Sequence, residues 1–208
     1  MMDIAQFRLT LLALGSYQTI RSTYYGEVER GVREYLEAPT DARVTRYRNG
    51  VKRSAVVAFD EASKQGFIDG GGKLPYDRDF ADYITARINA ELGYIETTFA
   101  QLRMLKISGE PFTATEEASR RATSYARTLD QIYNEGKLRG AGKLMLTFGG
   151  RDGVKHCLSC DGLKGKRRQA RWWVAQGLVP GQGNRNYDCS GFECHHFLYD
   201  DRGFIFTI

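Results

Sequence analysis

Outside residues 156–196 the 208-residue chain has no cysteine and no histidine, although it holds four of the first and three of the second. Most of the sequence therefore lacks soft metal ligands and offers little chemistry of its own. No apolar run near the start is long enough to span a bilayer. The longest, in "FRLTLLALGSY", also lacks the charged leader and small-residue cleavage site of a signal peptide, so it reads as part of a buried helix. Repeats and low-complexity tracts are missing as well. Charge of neither sign dominates: the net value is +5 with a pI near 9.0, a mild bias toward anionic partners such as nucleic acid. With 26% charged and 42% hydrophobic residues, wholesale disorder is excluded and a packed core is expected.

At 23.5 kDa the chain suits one large domain, or a medium one with a small appendage. Residues 1–142 read as a helical body without convincing strand alternation. A first helix is expected from Leu11 to Glu37, stopping at Ala38-Pro39 because proline disfavours helix in the residue before it. A second runs from about Asp41 to Phe67, with Val51, Ala55, Ala58 and Ala62 at three- and four-residue spacing. The third, about Arg78 to Lys106, has the clearest stripe: Ile84, Ile88, Leu92, Ile95, Phe99 and Leu102. The fourth begins after Pro111 with a capping-box pattern, Thr113 and Glu116, and repeats Ala118, Ala122, Tyr125, Leu129 and Ile132 along one face. These stripes read as core.

After Gly142 the texture changes. "KLMLTF" reads as a short strand, "GGRDG" as a turn cluster, and "HHFLYDDRGFIFTI" as two strands around a turn at "DDRG". The expected fold is thus mainly α: a helical body over 1–142 and a small α+β module over 143–208 ending in a short β-hairpin.

All four cysteines fall in that module. Cys157 and Cys160 form a Cys-x-x-Cys knuckle, a spacing that lets two thiolates share one Zn²⁺; Cys189 and Cys194 follow after 28 intervening residues, with four residues between them. Four thiolates would close a tetrahedral site. Cys157, Cys160, Cys194 and His196 make an alternative set that leaves Cys189 outside it. Either set leaves no open position for water, which favours a structural over a catalytic metal. Without an export signal a reducing compartment is expected, where clustered thiols are metal ligands rather than disulfides. A polar module of this size also needs a staple to fold.

Between the pairs, Lys164, Lys166, Arg167, Arg168 and Arg171 adjoin Trp172 and Trp173, a basic and aromatic mixture that suits nucleic acid, although a solvated segment whose tryptophans pack on the metal site is the reading favoured over it. From Arg151 to Ile208 nine Lys/Arg face six Asp/Glu, so the bias leans to this end. Enzyme readings fit less well. A zinc deaminase needs His-x-Glu and Pro-Cys-x-x-Cys, which are missing. A thioredoxin-like Cys-x-x-Cys would want a βαβ setting. An HNH-type nuclease, suggested by "GLVPGQGNRNYDCSGFECHH", wants a histidine base ahead of that segment, and none lies between Cys160 and Cys189. It stands as the enzymatic alternative.

Taken together, "RATSYARTLDQIYNEGKLRGAG", "DGVKHCLSCDGLKG", "WWVAQGLVPG" and "CSGFECHHFL" resemble the C-terminal part of tailed-phage head morphogenesis proteins, the minor head or minor capsid family. The resemblance covers about residues 118–200: a long helix, a Cys-x-x-Cys, a proline loop, then a closing cysteine cluster. Many members close on Cys-x-Cys, and His196 stands here where the last cysteine usually stands. The resemblance implies a non-enzymatic virion protein, assembled in the host cytoplasm in multiple copies. Its implied contacts are capsid, portal or other virion proteins and packaged DNA, without a membrane, and Zn²⁺ holds its C-terminal part.

Overall fold

The structure is a computed structural model that describes residues 16–38, 44–151, 156–180, 186–189 and 196–207. Four long helices come first: α1 (Tyr17–Glu37), α2 (Val44–Asp69), α3 (Arg78–Ser108) and α4 (Ala114–Ala141). There follow β1 (Met145–Gly150), the single turn α5 (Leu158–Asp161), β2 (Arg167–Gln169), α6 (Ala170–Ala175) and β3 (His196–Tyr199). The fold is mainly α with a small antiparallel sheet near its C-terminus, as the sequence implies. Among the described residues no helix is long and apolar enough to cross a membrane.

Local chemistry sets the helix ends. Ser16 caps α1 by accepting from the Thr19 backbone N–H. Ala38 ends it with an extended backbone, ψ 133°, the conformation a following proline requires. Asp77 caps α3 through a 2.8 Å bond from the Phe80 N–H, and Gly109 closes it with φ +71°, a left-handed turn that glycine adopts without a Cβ clash. Residues 11–15 of the expected first helix lie outside the described residues.

The chain divides into two compact units, and α2 and α4 each contribute to both. The first takes the residues up to Glu61 and Asp77–Ala126. Its core is helical: Tyr24 meets Phe59 edge to face at 6.1 Å, and Tyr35 packs on Phe99 at 5.5 Å. Lys106 reaches from α3 to the end of α1, donating to the carbonyls of Tyr35 and Ala38 at 3.0 and 2.7 Å, where unpaired helix carbonyls favour a cation. Of the α3 stripe, Ile84, Ile95, Phe99 and Leu102 are buried, while Ile88 and Leu92 are half-buried. Glu91 takes a place in the core that the apolar pattern does not foresee.

The Tyr24 hydroxyl donates to Glu91 Oε1 at 3.3 Å, and Tyr125 donates to Thr98 Oγ1 at 2.7 Å. Burial is the largest influence on the Glu91 carboxyl and pushes it up to about 7, against the Arg87 guanidinium and the Tyr24 bond, which pull it down. The same burial, with Glu91 beside it, raises the Tyr24 phenol well above its ordinary value. The folded chain therefore keeps a proton that the unfolded chain releases near its ordinary 4.5. With more protons bound in the folded state, stability is expected to fall by about 3 kcal/mol as pH rises from about 4.5 to about 7. Urea titrations at both ends of that window should show the loss, and Glu91→Gln should abolish most of it; an unchanged slope in the variant would assign the pH dependence elsewhere.

The second unit comprises Ala62–Tyr76 and the chain from Arg127 onward. Here the last turns of α2 and the second half of α4 approach through glycine. A Cβ on Gly66 would overlap the Tyr133 carbonyl oxygen, and one on Gly70 the Lys137 carbonyl oxygen. From the other side, a Cβ on Gly136 would lie 2.5 Å from the Ser63 carbonyl oxygen, and one on Gly140 would overlap that of Phe67. Two Gly-x-x-x-Gly steps thus face each other, backbone against backbone. Tyr133 Oη closes the seam with a 2.7 Å bond to Asp69.

The sheet has the order β2-β1-β3, antiparallel throughout, with Leu146 opposite Arg168 and Phe148 opposite Leu198. Leu146, Phe148 and Leu198 are buried with Leu138 of α4 and Trp173 of α6 in one apolar cluster. "GGRDG" does not begin as a turn, because Gly149 and Gly150 extend β1. They do so because rings occupy the space above them: a Cβ on Gly149 would crowd Phe197 and Tyr199, and one on Gly150 would crowd His156. Beyond β3 the chain turns at Asp200–Gly203, and its returning arm keeps one bridge, Tyr199 to Ile205, rather than a second strand. Thr207 competes for that edge by accepting from the Leu198 N–H through its hydroxyl at 2.8 Å.

Candidate metal centre

Cys157 stands at the start of α5, and its carbonyl accepts from the N–H groups of Cys160 and Asp161 at 3.1 and 3.0 Å. That tight turn carries the Cys160 sulfur back to 3.1 Å from the Cys157 sulfur. Cys189 arrives from a distant segment and places its sulfur 3.6 Å from that of Cys157. The three sulfurs lie within 4.8 Å of one another, so the three residues are close enough to bind one metal ion. A tetrahedral zinc with sulfurs at about 2.3 Å would hold them about 3.8 Å apart, inside the span from the 3.1 Å of the nearest pair to the 4.8 Å that bounds the group.

Cys160 is buried in the cluster that contains Phe148 and Trp173, with Cys157 and Cys189 packed against its edge. None of the three forms a disulfide among the described residues. Desolvation raises the Cys157 thiol, but the Ser159 hydroxyl, the thiol and backbone N–H of Cys160, and Cys189 together outweigh it and bring the group down to about 6. A thiol so placed is ready to ligate as thiolate.

A polar clamp also joins the two segments. The Ser159 N–H donates to Asp188 Oδ2 at 2.9 Å, and the Asp188 N–H donates to Ser159 Oγ at 3.0 Å. The reciprocal pair brings Cys189, the next residue, to the knuckle, and the Ser159 hydroxyl also lies 3.3 Å from the Cys157 sulfur. Spacing rules for cysteines pass over this pair. Its signal is a serine inside the knuckle and an aspartate directly before Cys189, two residue types that commonly bond to nearby backbone.

Of the expected ligands, Cys157, Cys160 and Cys189 come together, and Cys194 lies outside the described residues, as does His195. His196 is not part of the sulfur group. Its place in β3, opposite Gly150, stacks its ring on Phe148 at 5.2 Å and on Tyr187 at 6.3 Å, with His156 at 4.7 Å. His156 in turn lies 3.1 Å from the Arg151 carbonyl through Nε2.

The basic residues lie at the outer edge of the same unit, and all five are exposed. Arg167 is paired with Asp201 through two bonds, at 3.0 and 2.5 Å. Arg168 lies 5.6 Å over the Trp172 ring, and Arg171 bonds to Gln169 at 2.7 Å. Among the described residues Lys166, Arg168 and Arg171 have no acidic partner. Trp173 is fully buried, and Trp172 meets it edge to face at 5.0 Å. One tryptophan thus belongs to the core beside Cys160, and the other borders the basic edge. No family model, no curated protein and no solved structure matches this chain.

Proposed function

We propose that this chain is a virion structural protein of the phage minor-head type, acting by binding during head assembly or at the portal and head–tail connection, with Zn²⁺ holding its C-terminal unit. The observation that carries the metal part is the gathering of three cysteine sulfurs beside Phe148 and Trp173. Cys194 would supply the fourth ligand, giving a closed site with a structural role. The virion part rests on the order of sequence features: long helix, knuckle, proline loop and closing cysteines. The long helices offer surfaces for other virion proteins, and binding rather than catalysis would be the activity. Mass spectrometry of purified particles from cells producing this chain should find it in intact heads at a fixed ratio to the portal; its absence from particles would overturn the reading.

A second reading, a zinc-dependent nucleic-acid-binding protein, is favoured by Lys166, Arg168 and Arg171, which stand near Trp172 with no acidic partner among the described residues. In that case affinity for DNA would fall steeply with salt and weaken further when the three residues are neutralised.

A further inference from the structure

Two other sulfurs stand close to that of Cys157. Its Sγ lies 3.1 Å from Cys160 and 3.6 Å from Cys189. A disulfide holds its sulfurs about 2.05 Å apart, so each neighbour is within about 1 to 1.6 Å of a covalent bond to Cys157. The two bonds would differ in what they tie. Cys160 shares the turn of α5 with Cys157, and the N–H groups of Cys160 and Asp161 fix that turn on the Cys157 carbonyl at 3.1 and 3.0 Å. Cys189 belongs to a segment 32 positions away, joined to the knuckle by the Ser159–Asp188 pair at the protein surface. Cys160 is therefore both the nearer sulfur and the one on the firmer frame. Access decides which thiol reacts first. Cys157 is half-buried and its neighbour Leu158 is 85% exposed, whereas Cys160 is buried.

We propose that Cys157 and Cys160 form a peroxide-reactive dithiol whose disulfide frees the segment of Cys189 from the metal; the release rests on the zinc reading, and the dithiol does not. The Cys157 thiolate attacks one oxygen of hydrogen peroxide. An S–O bond forms, the O–O bond breaks, and the departing hydroxide takes a proton from solvent to become water. Cys157 has then lost two electrons to the peroxide and is a sulfenic acid. The Cys160 thiolate attacks that sulfur, the S–S bond forms, and the S–O bond breaks with loss of a second hydroxide, which becomes water in the same way. Thiolate is the form that binds metal, so the two joined sulfurs no longer serve as ligands. A metal on Cys157, Cys160 and Cys189 ties segments 32 positions apart. The disulfide closes only the turn of α5 and leaves the segment of Cys189 to the Ser159–Asp188 pair and its own packing. A dithiol reductant restores both thiols by exchange.

The test treats the full wild-type chain, loaded with zinc, with a small molar excess of hydrogen peroxide, then alkylates the remaining thiols and digests with trypsin. The sequence separates the possible bonds: Cys157 and Cys160 share the peptide His156–Lys164, while Cys189 falls in Asn186–Arg202. The first peptide should appear two hydrogens lighter and unalkylated, and dithiothreitol given before alkylation should return it to the doubly alkylated form. A colorimetric chelator should register zinc released in step with the disulfide. In Cys160→Ser, dimedone added with the peroxide should label Cys157. Recovery of the peptide with both cysteines alkylated after peroxide overturns the dithiol and leaves the zinc reading standing. A bond between the two peptides overturns the pairing, and a disulfide formed with the zinc retained overturns the release. A chain that takes up no zinc yet forms the disulfide supports the dithiol and overturns the zinc reading.

Discussion

Serine at both Cys157 and Cys160 is expected to unfold the C-terminal unit while most of the helix signal survives. Structural zinc sites contribute roughly 10 kcal/mol or more of apparent binding free energy at neutral pH, and whole domains are stable by about 5–15 kcal/mol. Losing two of the thiolates therefore removes about as much as the unit has. Cys160 is fully buried, and its sulfur lies against the cluster of Phe148, Trp173, Tyr187 and Leu198. Hydroxyls there would face apolar neighbours with no metal to bind. The readout is built into the chain: both tryptophans, Trp172 and Trp173, belong to this unit. Their emission should shift to the red and lose its cooperative melting transition, while the far-ultraviolet dichroism carried by α1 to α4 falls only in part. Chelation of the native protein should produce the same pair of changes, and tryptophan emission unchanged under both treatments would remove the stapling account.

The second large effect is expected at the glycine seam. Gly136→Ala sets a methyl group 2.5 Å from the Ser63 carbonyl oxygen and 3.0 Å from the Phe67 nitrogen. Gly66→Ala meets the Tyr133 carbonyl in the same way. Backbone cannot rotate aside as a side chain can, so α2 and α4 must separate, breaking the Tyr133–Asp69 bond. Overpacking in a core costs about 1–3 kcal/mol, and contact against backbone belongs at or above the top of that range, so each variant should lose about 3 kcal/mol. Gly26→Ala is the control, for a Cβ there has nothing within 4 Å and alanine in an exposed helical position gains up to about 1 kcal/mol. Opposite signs for the same chemical change, measured by urea unfolding, would establish the seam. Equal effects at Gly26 and Gly136 would show only the helix propensity of alanine.

The helices were legible because their signals are local and repeated. The third stripe follows from periodicity, and Ala38-Pro39 marks the end of α1 through a steric rule. The glycine seam was not legible, since Gly66 and Gly136 are 70 positions apart and each alone reads as a weak place in a helix. Glu91 escaped for a related reason: its burial depends on Tyr24, a residue of another helix. In the site, the knuckle was readable because cysteine spacing reflects metal geometry directly. The place of His196 was not, for it is set by strand register opposite Gly150 and by the rings of Phe148 and Tyr187. β2 was missed because its three polar residues, Arg167, Arg168 and Gln169, carry no alternation. They join the sheet through backbone bonds to β1, which any residue but proline can make.

Metal analysis of the purified full chain tests the central claim most directly, with X-ray absorption at the edge of whatever metal is found. The account predicts one zinc ion per chain with sulfur neighbours at about 2.3 Å, lost in the Cys157→Ser/Cys160→Ser variant. Protein that folds with no bound metal, or a zinc content unchanged in the variant, would contradict it.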